Sequence, residues 1–445
     1  MASTEQSLLD LAERLIDAAR RHGADAADAA VVRSRSHAAQ VRMGALEAVE
    51  ASESDDLTLR VFVGQRVANV SADVYADVDR LAKRAVAMAR VSPEDPYAGL
   101  ADPARLQREI PDLDLFDSTE IDSARLVEDA RRLEDAARSV PGVTNSSGAS
   151  ASAGSAGLVL VTSHGFVGTR RRSGFSRQVS VVAGEGTGME RDYEFDSRVH
   201  FADLNDPEAI GRAAGERAVR RLAPRSLPTG RYRIVFDPRV ARGLVGHIVS
   251  AINGSAIARG TSFLKDRMGE PILPSGIDLR DEPLLARRAG SRAFDGEGVA
   301  AAPLTLVKDG RLATWLLDTA TARELGLSTN GRASRSGGGV SPSASNVLMT
   351  PGTRSPDELL RDVGEGIYVT ELIGSGANLV TGDYSRGASG YRIENGVLTD
   401  PVSELTIAGN LKDMLMRVEP ANDLDPRFSI VAPTLGIGEM TVAGR

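Results

Sequence analysis

Three places in the chain gather side chains able to do chemistry. Phe294-Asp295-Gly296-Glu297-Gly298-Val299 sets two carboxylates beside flexible backbone, and paired carboxylates can share acid/base work or hold a hard cation. The blander reading of the same residues is a turn joining two strands. Thr381-Gly382-Asp383-Tyr384-Ser385-Arg386-Gly387-Ala388 brings together an acid, a phenol, a hydroxyl and a guanidinium. As a self-contained nucleophile site it lacks a neighbouring histidine to activate Ser385, so a structural or substrate-lining loop is the simpler expectation. His247 lies among Leu244, Val245, Ile248, Val249 and Ile252, the surroundings of a core or interface histidine more than of a metal ligand.

Specific catalytic signatures are missing around these three places. No two of the five histidines (His22, His37, His164, His200 and His247) are spaced as a helical zinc pair, which needs two imidazoles one turn apart and a glutamate base. There is no P-loop, dinucleotide fingerprint or G-x-S-x-G elbow. Cysteine is absent, which removes disulfides, thiolate metal sites and thiol nucleophiles together. The net charge of −8 works against neutralising phosphates, so no direct nucleic-acid binding is expected. The arginine clusters Arg170–Arg172 and Arg217, Arg220, Arg221 and Arg225 read as solvated faces. Acids come early (Glu5, Asp10, Glu13), no apolar signal region is visible, and no run approaches the roughly 18–20 apolar residues of a membrane helix. A cytoplasmic protein with no membrane contact is the expectation.

The elements that must position these residues follow from periodicity. Leu8, Leu11, Leu15, Ile16 and Ala19 recur at helical spacing over 4–21. Short strands are predicted at 28–33, 38–43 and 45–50, and 57–63 alternates Leu57, Leu59, Val61 and Val63 on one face. Helices are predicted at 75–90, 120–138 and 207–222. The Ser/Gly/Ala stretch 146–157 reads equally as a flexible linker or as a strand closely approached by other backbone. Pro224, Pro228 and Gly230 mark a junction. Beyond it come a strand at 231–236, a helix at 239–252, a hairpin 304–307/311–317 turned by Asp309-Gly310, a capped helix start at Ser355-Pro356-Asp357-Glu358 and a hairpin at Asn395-Gly396. The pattern predicts an α+β protein of two domains, 1–225 and 226–445, each with a largely antiparallel sheet and flanking helices.

Several ordered segments carry a resemblance: FDPRVARGLVGHIVSAINGSAIARGTSFLKDRMGEPILP (236–274), FDGEGV (294–299), KDGRLATWLLDTATARELGLSTNG (308–331), YVTELIGSGANLVTGDYSRGASGY (368–391), ENGVLTDPVSELTIAGNLKDM (394–414) and, earlier, SPEDPYAGLAD (92–102) and GMERDYEFD (188–196). With these the whole chain resembles the TldD/PmbA family. In its TldD branch that family carries HExxxH on the helix after the first strand of the C-terminal domain, and a cysteine near the C-terminus, together holding a catalytic zinc. Here Gly246 and Ala251 stand where the two histidines would be and His247 where the glutamate would be, and Asn422 to Ile430 offers no sulfur. The resemblance therefore points to the PmbA (TldE) branch.

What it implies is a metallopeptidase of two unlike subunits. This chain would carry no metal, cofactor or catalytic residue of its own; zinc would sit in a TldD-like partner, in a heterodimer. Unfolded peptides, leader peptides or antitoxins would be the substrates, and His247, Asp295, Glu297, Asp383, Tyr384, Ser385 and Arg386 the expected cleft lining. In isolation the chain would pair with itself as a homodimer. Two alternatives come from other classes: a non-enzymatic regulatory protein modulating DNA gyrase or a toxin–antitoxin pair, and a hydrolase built on Asp383 and Ser385.

Overall fold

Unusually long strands dominate the first half. The computed structural model describes residues 2–336 and 339–444. Helix Ala2–Arg21 (α1) leads into Ala26–Arg42 (β1), Ala45–Val63 (β2) and Arg66–Asp73 (β3), then helices Val78–Val91 (α2) and Ser123–Arg138 (α3). Val143–Thr162 (β4), Val167–Ala183 (β5), Glu190–Arg198 (β6) and helix Pro207–Arg220 (α4) complete this half. The strands form one antiparallel sheet in the order β3-β2-β1-β4-β5-β6. The short strands expected at 28–33 and 38–43 are one continuous strand. No glycine or proline interrupts residues 26–42, and β2 and β4 pair with it from both sides. Likewise 45–50 and 57–63 belong to the single strand β2, reached through a tight turn with φ of 52° at Met43 and 80° at Gly44.

The Ser/Gly/Ala stretch is a strand. In β4, Ala149, Ala151 and Ala153 are buried while Ser150, Ser152 and Gly154 point to the opposite face at the two-residue period of a pleated strand. Small side chains let α3 and α4 lie close on the first face, where Leu126, Ala130, Leu133 and Ile210 pack. On the other face a Cβ at Gly154 would stand 2.9 Å from the Arg35 carbonyl oxygen, and Ser152 and Ser176 share a 2.8 Å hydroxyl–hydroxyl hydrogen bond. Helices α1 and α2 cover the same face as α3 and α4, over Ala27, Ala29, Val31, Leu57, Leu59 and Val61.

The second half opens with Gly230–Phe236 (β7), helix Pro238–Ala251 (α5) and helix Gly254–Ala258 (α6). Leu279–Asp281 (β8), Leu304–Lys308 (β9), Arg311–Leu312 (β10), helix Thr319–Glu324 (α7), Ala333–Ser336 (β11), Gly339–Pro342 (β12) and Val347–Met349 (β13) follow. Helix Pro356–Val363 (α8) leads into Gly366–Ile373 (β14), Asp383–Glu394 (β15) and Val397–Asn410 (β16), and Leu411–Leu415 (α9), Glu419–Pro420 (β17), Ile430–Val431 (β18) and Leu435–Ala443 (β19) end the chain. The main sheet runs β16-β15-β14-β7-β19-β17, and β19 also pairs with β16, so five strands close on themselves. A closed sheet has no open edge to protect. The β7–β14 pair is parallel; the other pairs are antiparallel. A smaller sheet, β10-β9-β8-β13-β18, sits beside it on one continuous core that includes Ile234, Leu244, Ile248, Trp315 and Val347. The expected hairpin turned by Asp309-Gly310 is present with a second strand of only two residues, Arg311–Leu312. The helix start at Ser355 is a full capping box, with Glu358 reaching back to the Ser355 backbone N–H at 2.7 Å. The α+β expectation holds, with mainly antiparallel sheets and flanking helices.

The α3–α4 contact depends on two missing side chains. A Cβ at Gly211 would stand 2.3 Å from the Leu133 carbonyl oxygen, and one at Gly215 2.7 Å from that of Ala137. Gly211→Ala gains about 1 kcal/mol of helix propensity but must push two backbones apart. A net loss of about 1–3 kcal/mol is expected, read as a lower urea midpoint; an unchanged or higher midpoint would contradict this packing.

Candidate functional site

The turn 294–299 is built into the interior. Phe294 packs edge-to-face on Phe166 of the first half, with ring centroids 5.0 Å apart. Gly298 has φ of +81°, and a Cβ there would lie 2.6 Å from the Phe166 ring, so no other residue fits without displacing that ring. The Asp295 carboxylate accepts from the N–H groups of Glu297 (2.8 Å), Val299 (3.0 Å) and Ala333 (2.9 Å). Glu297 accepts from the Thr319 N–H at 2.8 Å, at the first turn of α7, and meets Arg60 of β2 at 3.4 Å. Arg60 also binds Asp28 at 2.6 Å, and Arg335 reaches the other Asp28 oxygen at 2.7 Å. Burial alone would raise the Asp28 pKa, but Arg335 and Arg60 outweigh it and hold the carboxyl below its usual range. Asp295 lacks such a cation: burial, and then the charge of Glu297, push it up to about 7 against the three N–H donors. Asp295 and Glu297, both expected to line a cleft, are 2% and 3% exposed. Asp295 is taken up by backbone N–H groups of its own half, and Glu297 reaches across to Arg60 of the first.

Helix α5 positions the second group. Asp237 caps its N-terminus, accepting from the Arg239 N–H at 2.9 Å, and Pro238 occupies the first turn, where a missing N–H costs nothing. The Tyr368 hydroxyl donates to the other Asp237 oxygen at 2.9 Å and so fixes the helix start. Val240, Ala241, Leu244, Val245 and Ile248 face the core. His247, next to that stripe, meets Tyr384 of β15 edge-on at 6.1 Å between ring centroids. Burial, and secondly the Arg386 guanidinium, lower the His247 pKa; burial pushes the Tyr384 phenol up to about 12 despite its hydrogen bond with Arg386. The two-residue period of β15 explains the division within its motif. Tyr384 and Arg386 face α5, whereas Asp383 and Ser385 are exposed on the other face. Asp383 accepts from Thr381 Oγ1 at 2.7 Å and Asn410 Nδ2 at 3.2 Å, holding the loop before the strand. The structure therefore brings His247, Tyr384 and Arg386 together and leaves Asp383 and Ser385 facing away from the imidazole.

A third feature was not singled out in the sequence. Along the outer face of α5, Arg242, Gly243 and Gly246 border a depression of about 430 Å³ whose other walls include Ser197 of β6 and Arg427 and Phe428 of the C-terminal segment. A Cβ at Gly243 or Gly246 would meet nothing within 4 Å. β18 pairs in parallel with β13 and so seats Phe428 here. The Arg242 guanidinium lies 4.5 Å from the Phe428 ring centroid, and Phe428 in turn lies 5.4 Å from Phe195. Two glycines three apart inside a helix cost about 1 kcal/mol each against alanine, which is the sequence signal for a helix face that borders open space. The residues present do not fit a zinc ion. Gly246 has no donor, Ala251 is fully buried, and the facing segment presents a guanidinium and a phenyl ring, whereas zinc needs thiolate, imidazole or carboxylate ligands. Among the described residues no three His, Cys, Asp or Glu side chains cluster as a metal site.

Similarity to known proteins places this fold among proteins of metallopeptidase type and names the family. Residues 27–89, 116–222 and 229–444 match, in order, PmbA/TldA metallopeptidase domain 1, the central domain and the C-terminal domain. The chain is 36% identical over 425 residues to Metalloprotease PmbA of Escherichia coli O157:H7, covering 95% of this chain and 93% of that one. It is 33% identical to the Haemophilus influenzae homologue of that protein, over 100% and 98%. A crystal structure from Bacteroides thetaiotaomicron, described as a candidate modulator of DNA gyrase, superposes with a TM-score of 0.90 at 28% identity over 98% of both chains. TldE from Thermococcus kodakarensis shares the fold, with a TM-score of 0.87 at 20% identity over 98% of this chain and 100% of that one. The chain belongs to the PmbA/TldD metallopeptidase family, on its PmbA/TldE side. Among the described residues no helix is long and apolar enough to cross a membrane.

Two titrations test this geometry. The folded pKa of Asp295 lies above the roughly 3.9 of an unfolded aspartate, so the folded state holds the extra proton between those values. Stability from this group then falls as pH rises from about 4 to about 7 and is level above. In thermal melts the difference between wild type and Asp295→Asn should shrink from pH 5 to 7 and stay constant above pH 8; a flat difference excludes a titrating Asp295. For His247, Arg386→Gln removes a neighbouring positive charge and should raise the imidazole pKa toward about 6.5, followed by NMR of the ring protons. An unmoved or lower value rules out the contact.

Proposed function

We propose that this chain is the zinc-free subunit of a two-component peptidase and that a TldD-like partner brings the metal and the activated water. The observation that carries this reading is the lack of donor side chains at two positions of α5. Gly246 and Ala251 stand at the positions where the resemblance implies zinc-binding histidines, and the adjoining walls bring Arg242 and Arg427 instead of a third ligand. A metalloprotease family with no metal-binding set in one member is accounted for by a second, unlike subunit. The substrate class is an unfolded peptide, such as a leader peptide or an antitoxin. Strand β6 supports this, because it is an edge of the six-stranded sheet and runs past the depression. An extended peptide can add to such an edge through main-chain hydrogen bonds that depend little on its side chains.

In this reading the cleft is completed by the His247–Tyr384–Arg386 group, the chain works in the cytoplasm, and isolated copies pair through the surface used for the partner. The regulatory alternative is favoured by the description of the Bacteroides relative as a candidate gyrase modulator. It requires tight binding of a target without proteolysis.

The chain purified alone should hold less than about 0.1 equivalent of zinc and leave an unstructured peptide intact, and the same peptide should be cut when the zinc-bearing partner is added. Metal analysis and mass spectrometry of the peptide read both. Stoichiometric zinc with turnover in the lone chain, or equal turnover by the partner with and without this chain, would falsify the assignment.

A further inference from the structure

The depression beside α5 has the composition of an anion site. Arg242 uses its Nε to donate to the Arg239 carbonyl at 3.2 Å, which leaves its two terminal nitrogens, with four N–H donors, unassigned. Among the described residues no carboxylate lies within ion-pair distance of it. The neighbouring guanidiniums are compensated: Arg239 by Asp192 at 3.1 Å, Arg198 by Asp196 at 3.0 Å, and Arg427 by Asp425. Arg288, which donates to the Pro426 carbonyl, is a second guanidinium nearby, but Arg242 is the one in the concave wall, whose other surfaces are the Phe428 ring, glycine backbone and the Ser197 strand. The ring restricts the guanidinium to one plane, and a planar fork with parallel N–H groups is matched by a carboxylate. The volume, about 430 Å³, lies within the 300–1,000 Å³ typical of small-ligand sites, and Gly243 and Gly246 leave it open down to the helix backbone.

We infer that this depression binds a carboxylate of an extended peptide, with Arg242 as the bidentate partner and Phe428 and the glycine face of α5 receiving the residue that bears it. The identity of the bearer as a peptide rests on the peptidase reading; the carboxylate chemistry does not. Two sources share that chemistry, a peptide's C-terminal carboxylate and an aspartate or glutamate side chain. Gly243 and Gly246 serve here as a gap in the helix surface, which explains why two costly glycines stand three residues apart on one face.

The test uses the full chain and fluorescence anisotropy with four labelled ten-residue peptides of one neutral unstructured sequence. One ends in a free carboxylate, one is amidated, one is amidated with a central Asp, and one is amidated with Asn in its place. Binding to the first alone assigns the site to a C-terminus, and binding to the third assigns it to an acidic side chain. Arg242→Gln should weaken that binding about tenfold or more, with partial rescue by Arg242→Lys. Gly246→Leu fills the depression and should abolish binding while leaving the melting temperature equal or higher, since its side chain enters open space and improves helix propensity. Equal affinity for all four peptides, no binding by any of them at millimolar concentration, or full binding by Gly246→Leu overturns the inference. None of these readings involves zinc or cleavage, so the carboxylate site can fail while the peptidase reading stands, and the reverse.

Discussion

A single interior turn ties the two halves of this protein together. Residues 294–299 carry two carboxylates into the interior; Asp295 is held by backbone N–H groups of its own half, and Glu297 by a cation from the other. Glu297 meets Arg60 from the first sheet, and Asp28 from the same sheet meets Arg335 from the second half. Breaking one member of a buried ion pair typically costs about 3–5 kcal/mol, because a charge is left without a partner. The network therefore does not add much net stability over an apolar contact of the same size, but it permits only one seating of the halves. The Phe166–Phe294 contact and the tightly fitted Gly298 impose the same seating sterically.

That seating decides what α5 faces. One side of the helix enters the core of the closed sheet, one edge presents His247 to Tyr384 and Arg386, and the outer face borders the open depression next to β6. A helix has room for all three roles because successive residues are turned by about 100°, so Gly246, His247 and Ile248 look in different directions. The family resemblance places a metal motif on the same stretch of helix, where this chain has Gly246 and Ala251.

Scarcity of aromatic residues shapes the rest. With aromatics at 4% of the chain, packing is achieved by bringing backbones close, as α3 and α4 do at Gly211 and Gly215 and as β1 and β4 do at Gly154. Close backbones gain dispersion contacts over a long seam but tolerate little added volume. Two aromatic pairs fall at junctions: Phe166 on Phe294 between halves, and Phe195 on Phe428 beside the depression.

Local rules determined a good deal of this. Helical periodicity located α1, α2, α4 and α5 to within a few residues, the Ser355 capping box announced α8, and the family-level segments were readable end to end. Absent cysteine and unpaired histidines already argued against a metal centre. Strand continuity in β1 and β2 was not legible, because whether an alternating stretch breaks or continues depends on its partner strands, which for β1 include β4, more than a hundred positions away. For the same reason the Ser/Gly/Ala stretch could be read as linker or strand until β1 and β5 flanked it. The motif 381–388 looked like one cluster in sequence, yet the pleat sends Tyr384 and Arg386 to one side and Asp383 and Ser385 to the other. Residues Asp295 and Glu297 looked available and are buried, and Arg242 with Phe428 escaped notice because 186 positions separate them. The sequence alone located most helices and the family-level segments; only tertiary structure decided how long the strands run and which charges are paired, since both depend on distance in space and not along the chain.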